Sequence, residues 1–106
     1  MAHHLAGRLA AAEAALREAL RLRPDHPLAH NSLGVVLMDD GRAADAETHL
    51  RRALEILPAY PTAALNLVAL YEQQGLRAEA RQALDAALRL SPADPALLEQ
   101  SAALGR

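Results

Sequence analysis

The sequence predicts an all-α repeat protein built from stacked pairs of helices, and three observations support this prediction. The six prolines form three P-x-x-P units spaced by 34 residues, at Pro24/Pro27, Pro58/Pro61 and Pro92/Pro95. Glycines recur at the same spacing, at Gly7, Gly41 and Gly75. The hydrophobic residues, 52% of the chain, are mostly Ala and Leu, which favours helices over strands. Because turn-forming residues recur at a fixed period, we expect the 106 residues to hold about three repeats in a single domain.

Six helices follow from these signals, at residues 8–22, 27–39, 43–56, 61–74, 77–90 and 95–104. Proline suits the first position of a helix because its missing N–H has no partner there. Glycine suits the position after the last turn because it adopts positive φ without steric cost. Short connections predict that consecutive helices pack antiparallel. The second helix of each pair repeats one apolar pattern at a shift of 34, at Ala12/Leu16/Ala19, Ala46/Leu50/Ala53 and Ala80/Leu84/Ala87.

Composition and charge argue against several classes of partner. A net charge of -2 is too small to favour nucleic acid or an acidic membrane surface. No apolar run approaches the ~20 residues that span a bilayer, and residues 1–4 lack the features of a signal peptide. The absence of cysteine excludes disulfides. These features predict a cytoplasmic protein without nucleic-acid or membrane partners. The exclusive use of Arg over Lys indicates codon bias in a GC-rich genome rather than a phosphate-binding role, and we expect a bacterial protein.

Catalysis and metal binding find no support in the sequence. There is no Gly-rich phosphate loop, no nucleophile motif and no pair of carboxylates in a predicted cleft, so we predict that the protein is not an enzyme. No Cys or HExxH motif accompanies the histidines, and no metal or cofactor is predicted. Instead His26 is expected in a turn, His30 in the core and His49 in solvent. Exposed ion pairs are expected at Glu13/Arg17, Glu47/Arg51 and Asp85/Arg89.

The periodic residues resemble a known family, the tetratricopeptide repeat. The resemblance rests on two complete copies of its pattern, at Leu33, Gly34, Leu37, Gly41, Ala46, Leu50, Ala53, Pro58 and at Leu67, Tyr71, Gly75, Ala80, Leu84, Ala87, Pro92. Residues 7–24 match the second half of another copy. This alignment predicts a partial repeat over residues 1–26, full repeats over 27–60 and 61–94, and a capping helix over 95–106. His30, Ala64 and leucines replace the family's large aromatic residues, and Val68 replaces its usual glycine.

The resemblance implies a right-handed superhelical solenoid whose first helices line a concave groove that binds a protein or peptide. By position, the groove residues are Leu28, Asn31, Val35, Met38, Asp39, Leu65, Asn66, Ala69, Glu72 and Gln73. Without Lys, and with acidic groove positions, a clamp for a C-terminal carboxylate is disfavoured. Asn66 suits either a peptide backbone or a hydrogen bond inside the fold. Asp39 and Asp40 lie in a last helical turn, where negative charge is unfavourable, and they suit either binding or a solvated helix end.

Two alternatives to peptide binding stay open. The first helix carries Leu9, Leu16 and Leu20 with no preceding helix to cover them, which predicts self-association into a homo-oligomer. The second alternative is that the chain is an accessory repeat fragment of a larger bacterial protein. Irregular positions such as Val68 favour a natural sequence over a designed array.

Overall fold

Helices are the only regular secondary structure in the part of the chain that the computed structural model describes, namely the backbone of residues 2–105 and the side chains of residues 7–105. The helices are α1 (Ala2–Leu22), α2 (Pro27–Asp39), α3 (Ala43–Ile56), α4 (Pro61–Gln73), α5 (Arg77–Leu90) and α6 (Pro95–Leu104). The all-α prediction is confirmed. Five of the predicted helices agree with the structure to within one residue at each end, and only α1 begins earlier than predicted.

Gly41 and Gly75 end helices as predicted, whereas Gly7 does not. Gly41 has φ 77° and Gly75 has φ 74°. In the first of these turns the N–H of Gly41 donates to the carbonyl of Met38, and the N–H of Arg42 donates to that of Leu37. This is the hydrogen-bond pattern of a helix end closed by a left-handed residue.

Gly7 lies inside α1, which runs without a break from Ala2 to Leu22. Its φ is not positive. The residues around it are mainly Ala and Leu, which favour the helix, and no proline interrupts them. A glycine inside a helix costs only about 0.5–1 kcal/mol relative to alanine, so the favourable neighbours prevail.

These three glycines therefore predict opposite effects of the same substitution. Gly7→Ala should raise the free energy of unfolding by about 0.5–1 kcal/mol, because alanine restricts the unfolded chain and favours the helix. Gly41→Ala and Gly75→Ala should each lower it by about 1–2 kcal/mol, because a Cβ is strained at positive φ. A Cβ added at any of the three has no neighbour within 4 Å, so packing does not confuse the comparison. Urea denaturation followed by circular dichroism measures all three, and effects of the same sign would contradict the assignment.

The first compact unit spans Met1–Ile56 and is centred on α2. Helix α2 packs against α1 on one side and against α3 on another. The interior is made of leucines and small residues that are fully buried: Leu33, Leu37, Ala46, Leu50 and Ala53. Gly34 lets α2 and α3 approach closely, because a Cβ at this position would lie 2.6 Å from Cγ of Leu50.

The second compact unit spans Leu57–Arg106 and contains α4, α5 and α6. Helix α6 packs against both α5 and α4 and buries Leu97 completely. Arginines of α5 hold its far end: Arg77 Nη2 donates to the carbonyl of Leu104 at 2.5 Å, and Arg81 donates to the carbonyl of Gly105 and to Ser101 Oγ. These bonds satisfy carbonyls that a helix end leaves without partners. The repeat boundaries, and the role of α6 as a cap, stay predictions.

Candidate functional site

The predicted groove residues of the first unit lie along α2. Leu28 is 57% exposed, Val35 and Met38 are half-buried, and Asp39 is exposed. Asn31 differs from the others because only 6% of it is exposed. The family resemblance placed Asn31 in the groove with Leu28 and Val35, but packing in this unit encloses it. Its polar side chain also has an interaction partner within the protein. Surface contact with a ligand is therefore better supplied by Leu28, Val35, Met38 and Asp39.

The predicted groove residues of the second unit lie along α4. Leu65, Asn66 and Ala69 are half-buried, while Glu72 and Gln73 are exposed. Glu72 is engaged by the last helix of its own unit, since Gln100 Nε2 on α6 donates to its Oε1 at 2.9 Å. Asn66 has an interaction partner within the protein. The face of α4 thus combines an apolar residue, Leu65, with an acidic one whose carboxylate can still accept a second hydrogen bond.

The two aspartates at the end of α2 have different surroundings. Asp40 Oδ2 lies 3.9 Å from Arg42, which also binds Asp45 at 3.2 Å and Glu13 at 2.8 Å. Asp39 is exposed and makes no ion pair with the residues described. Asp40 therefore matches the expectation of a carboxylate at a solvated helix end that is paired with an arginine. Asp39 is the acidic group of this end that stays available to a ligand.

Arg42 and Arg17 surround Glu13 and stabilise its charged form. Arg17 Nε donates to Glu13 Oε2 and Arg42 Nη1 donates to Oε1, each at 2.8 Å. Mainly because of Arg17, and further because of Arg42, the pKa of the Glu13 carboxyl lies below its usual value. The contact with Arg42 joins α1 to the start of α3, which no periodicity in the sequence indicated.

Two of the three predicted ion pairs along helices are present. Glu13 binds Arg17 and Glu47 binds Arg51, each at 2.8 Å. The prediction of an Asp85/Arg89 pair is wrong, because Asp85 lies 3.5 Å from Arg81, one turn earlier on α5. Arg81 is already held by the end of α6, and this contact orders it beside Asp85.

Two histidines form a contact that the sequence did not predict. His30 is buried as expected, but His49 is half-buried against it instead of facing solvent. Their rings stack with centroids 5.3 Å apart and planes at 25°, and the two Nδ1 atoms are 3.1 Å apart. Burial, and then the neighbouring His30, lower the pKa of His49. Only one repeat carries this pair, so no periodic signal marks it in the sequence.

An open cavity of about 370 Å³ adjoins the histidine pair. Polar and charged residues of α2 and α3 line it, largely through their carbon atoms: His30, Thr48, His49, Arg51, Arg52 and Glu55. The cations along it are paired, since Arg52 binds Glu55 at 3.2 Å and Arg51 binds Glu47. Among the described residues, no group of three His, Cys, Asp or Glu is placed to hold a metal ion.

The leucines predicted to mediate self-association lie along α1. Leu9, Leu16 and Leu20 are all half-buried, and α2 is the helix that packs against α1. Partial burial reduces the apolar area that these side chains offer to a second copy. Self-association through them stays a prediction, which light scattering across a range of concentrations tests.

Comparison with known proteins identifies the family of the chain. Of the helices described, none is both long enough and apolar enough to cross a membrane. No curated protein matches the chain. Two family models do match, and both represent the tetratricopeptide repeat, one over residues 6–64 and the other over residues 37–104. Each covers more than half of the sequence, and the repeated helix pairs of the structure agree with both. The chain belongs to the tetratricopeptide repeat family.

Proposed function

We propose that the protein is an interaction module that binds peptide segments, with the exposed face of α2 as the contact surface in the first unit and that of α4 in the second. Tetratricopeptide repeats are generally protein-interaction modules and are typically non-catalytic scaffolds. One observation supports peptide binding at these helix faces most directly. Leu28, a large apolar side chain at the start of α2, is 57% exposed, and the exposed Asp39 ends the same helix. Burying a leucine side chain completely is worth about 1.5–3 kcal/mol, so this exposure favours an apolar ligand group.

The chemistry of the two faces defines the ligand. On each helix taken by itself, partly exposed apolar residues would contact Leu or Val anchors of a peptide, by shape and apolar burial. Asp39 and Glu72 would pair with an Arg or Lys of the peptide. A carboxylate-terminated ligand is disfavoured, because the protein has no Lys and these faces carry acidic groups.

A peptide selection tests the proposal. We expect a random display library, selected against the purified protein, to yield sequences with two Leu or Val anchors and a basic residue. Leu28→Asp should then weaken a selected peptide at least about tenfold, because an apolar contact is replaced by a charge that must be desolvated. Isothermal titration calorimetry measures the affinity.

Leu90→Asp is the matched control for this prediction. Leu90 ends α5 and is 54% exposed, close to the 57% of Leu28, so both substitutions change net charge and surface polarity equally. Circular dichroism checks that both variants stay folded. Equal weakening by the two variants, or a selection without a common motif, would show that α2 is not the binding face.

A further inference from the structure

Three histidines gather at the start of α2 in the first unit, and we name them the histidine cluster: His26, His30 and His49. His26 precedes α2, and its Nδ1 accepts the backbone N–H of Ala29 at 3.4 Å. His30 lies one turn into α2, and His49 approaches it from α3. Residues 57–106, which form the second unit, contain no histidine. Any effect of histidine protonation on folding is therefore confined to one unit of the chain.

The hydrogen bonds of the cluster assign the ring protons. The carbonyl of Pro24 can only accept, so His30 Nε2, at 2.7 Å from it, carries a hydrogen and donates. In the neutral ring His30 Nδ1 is then an acceptor, and His49 Nδ1 donates to it at 3.1 Å. If both Nδ1 atoms carried hydrogen, two donors would face each other. The pair therefore takes up at most one extra proton while this contact lasts.

The surroundings of His49 oppose a charge on its ring. The side chain is half-buried, and burial is the main cause that lowers its pKa. Arg17 on α1 also acts against a charge on His49, while Glu13 on α1 and Asp45 on α3 act in its favour with smaller effect. At the start of α2, the lone pair of His26 Nδ1 that accepts from Ala29 exists only while this nitrogen carries no hydrogen.

We propose that the histidine cluster is a pH-sensitive switch that holds the start of α2 in place near neutral pH and releases it on mild acidification. Three hydrogen bonds, to Pro24, to Ala29 and between the two rings, keep this segment attached to the preceding turn and to α3. In mild acid the unfolded segment can protonate both rings of the His30–His49 pair, whereas the folded pair takes up at most one extra proton because its two Nδ1 atoms face each other. The free energy of unfolding of the first unit therefore falls as the pH decreases through about 6.5, the ordinary pKa of histidine. This inference does not depend on the proposed peptide binding.

Hydrogen–deuterium exchange of the full chain tests the switch, with the second unit as an internal control. For each proton that only the unfolded state binds, a drop from pH 7.5 to 5.5 lowers the equilibrium constant for folding by up to about tenfold. After correction for intrinsic exchange rates, protection of α2 amides should fall by roughly this factor. Protection of α4 and α5 should change less than about twofold. Equal changes in both units, or none in α2, would overturn the proposal.

A double variant separates the switch from other effects of acid. In His26→Asn/His49→Asn, the side-chain oxygen and nitrogen of Asn replace the two Nδ1 atoms without titrating, and Asn is a good helix cap. The loss of α2 protection at pH 5.5 should shrink from about tenfold to less than about threefold. A wild-type-sized loss in this variant would overturn the proposal. If the variant does not fold, ¹⁵N chemical shifts of the histidine rings in the wild type test the proposal instead. Hydrogen on His30 Nε2 and His49 Nδ1 at pH 7.5 would support the proposal. Hydrogen on His30 Nδ1 would refute it.

Discussion

Leu50→Ala is expected to lower the free energy of unfolding of the first unit by about 2–5 kcal/mol. Leu50 is fully buried at the contact between α2 and α3, and it packs against the backbone of Gly34. Truncation removes its buried methyl groups and leaves a cavity that two rigid helices cannot close. Because a small domain has a total stability of only about 5–15 kcal/mol, the loss could leave this unit partly unfolded at room temperature.

Gly34→Ala, the reverse change at the same contact, should cost about 1–3 kcal/mol. The added Cβ would lie 2.6 Å from Cγ and 2.7 Å from Cδ2 of Leu50, and a fully buried leucine has no space to move into. In the double variant the methyl group added by Gly34→Ala occupies part of the cavity left by Leu50→Ala. The combined loss should therefore be smaller than the sum of the two single losses by about 0.5–3 kcal/mol.

Urea denaturation of the wild type, both single variants and the double variant measures this coupling. Exchange protection of α2 and α3 amides provides an independent reading of the same unit. Leu54→Ala is a useful control, since Leu54 lies on α3 but is only half-buried, and it should not couple to Gly34→Ala. Strict additivity of the Gly34 and Leu50 variants would contradict the close contact described here.

Leu97→Ala is expected to be the most damaging alanine substitution in α6, lowering the stability of the second unit by about 2–5 kcal/mol. Leu97 is fully buried, whereas the adjacent Leu98 is 48% exposed. Leu98→Ala changes the same atoms on the same helix and should cost less than about 1 kcal/mol. The difference between the two stability losses therefore measures the packing of α6, because both substitutions change the helix propensity equally.

Tyrosine fluorescence is a specific probe for this second prediction. Both tyrosines of the chain, Tyr60 and Tyr71, belong to the second unit, and there is no Trp. Tyr71 is buried on α4, one of the helices that α6 contacts. Leu97→Ala should shift the urea midpoint seen by fluorescence, while Leu98→Ala should leave it nearly unchanged. Similar shifts in both variants would mean that α6 is not docked through Leu97.

Repeat spacing predicted the helices well because its signals are local. Proline at the first helical position and glycine after the last act through their own backbone geometry, as Pro27 and Gly41 show. Gly7 shows the limit of this reasoning. It has the same spacing as Gly41, yet neighbouring residues decide whether a helix stops at a glycine or continues through it.

Site residues were harder to predict, because exposure depends on which helices pack together. Position along α2 placed Asn31 with Leu28, and the structure buries one while exposing the other. The contact of His30 with His49 joins residues 19 positions apart, on two helices. Neither the distance between the rings nor the orientation of their nitrogen atoms can be read from spacing.

By itself, the sequence determined that the chain is all-α, where most helices begin and end, and which apolar positions of α3 and α5 are buried. These properties follow from residue geometry and from one apolar period, both of which act over a few residues. Only the tertiary structure decided that Gly34 lies against Leu50, that Arg77 and Arg81 hold the end of α6, and that His49 meets His30. Such contacts depend on distances between helices, which side-chain packing sets and no local signal encodes.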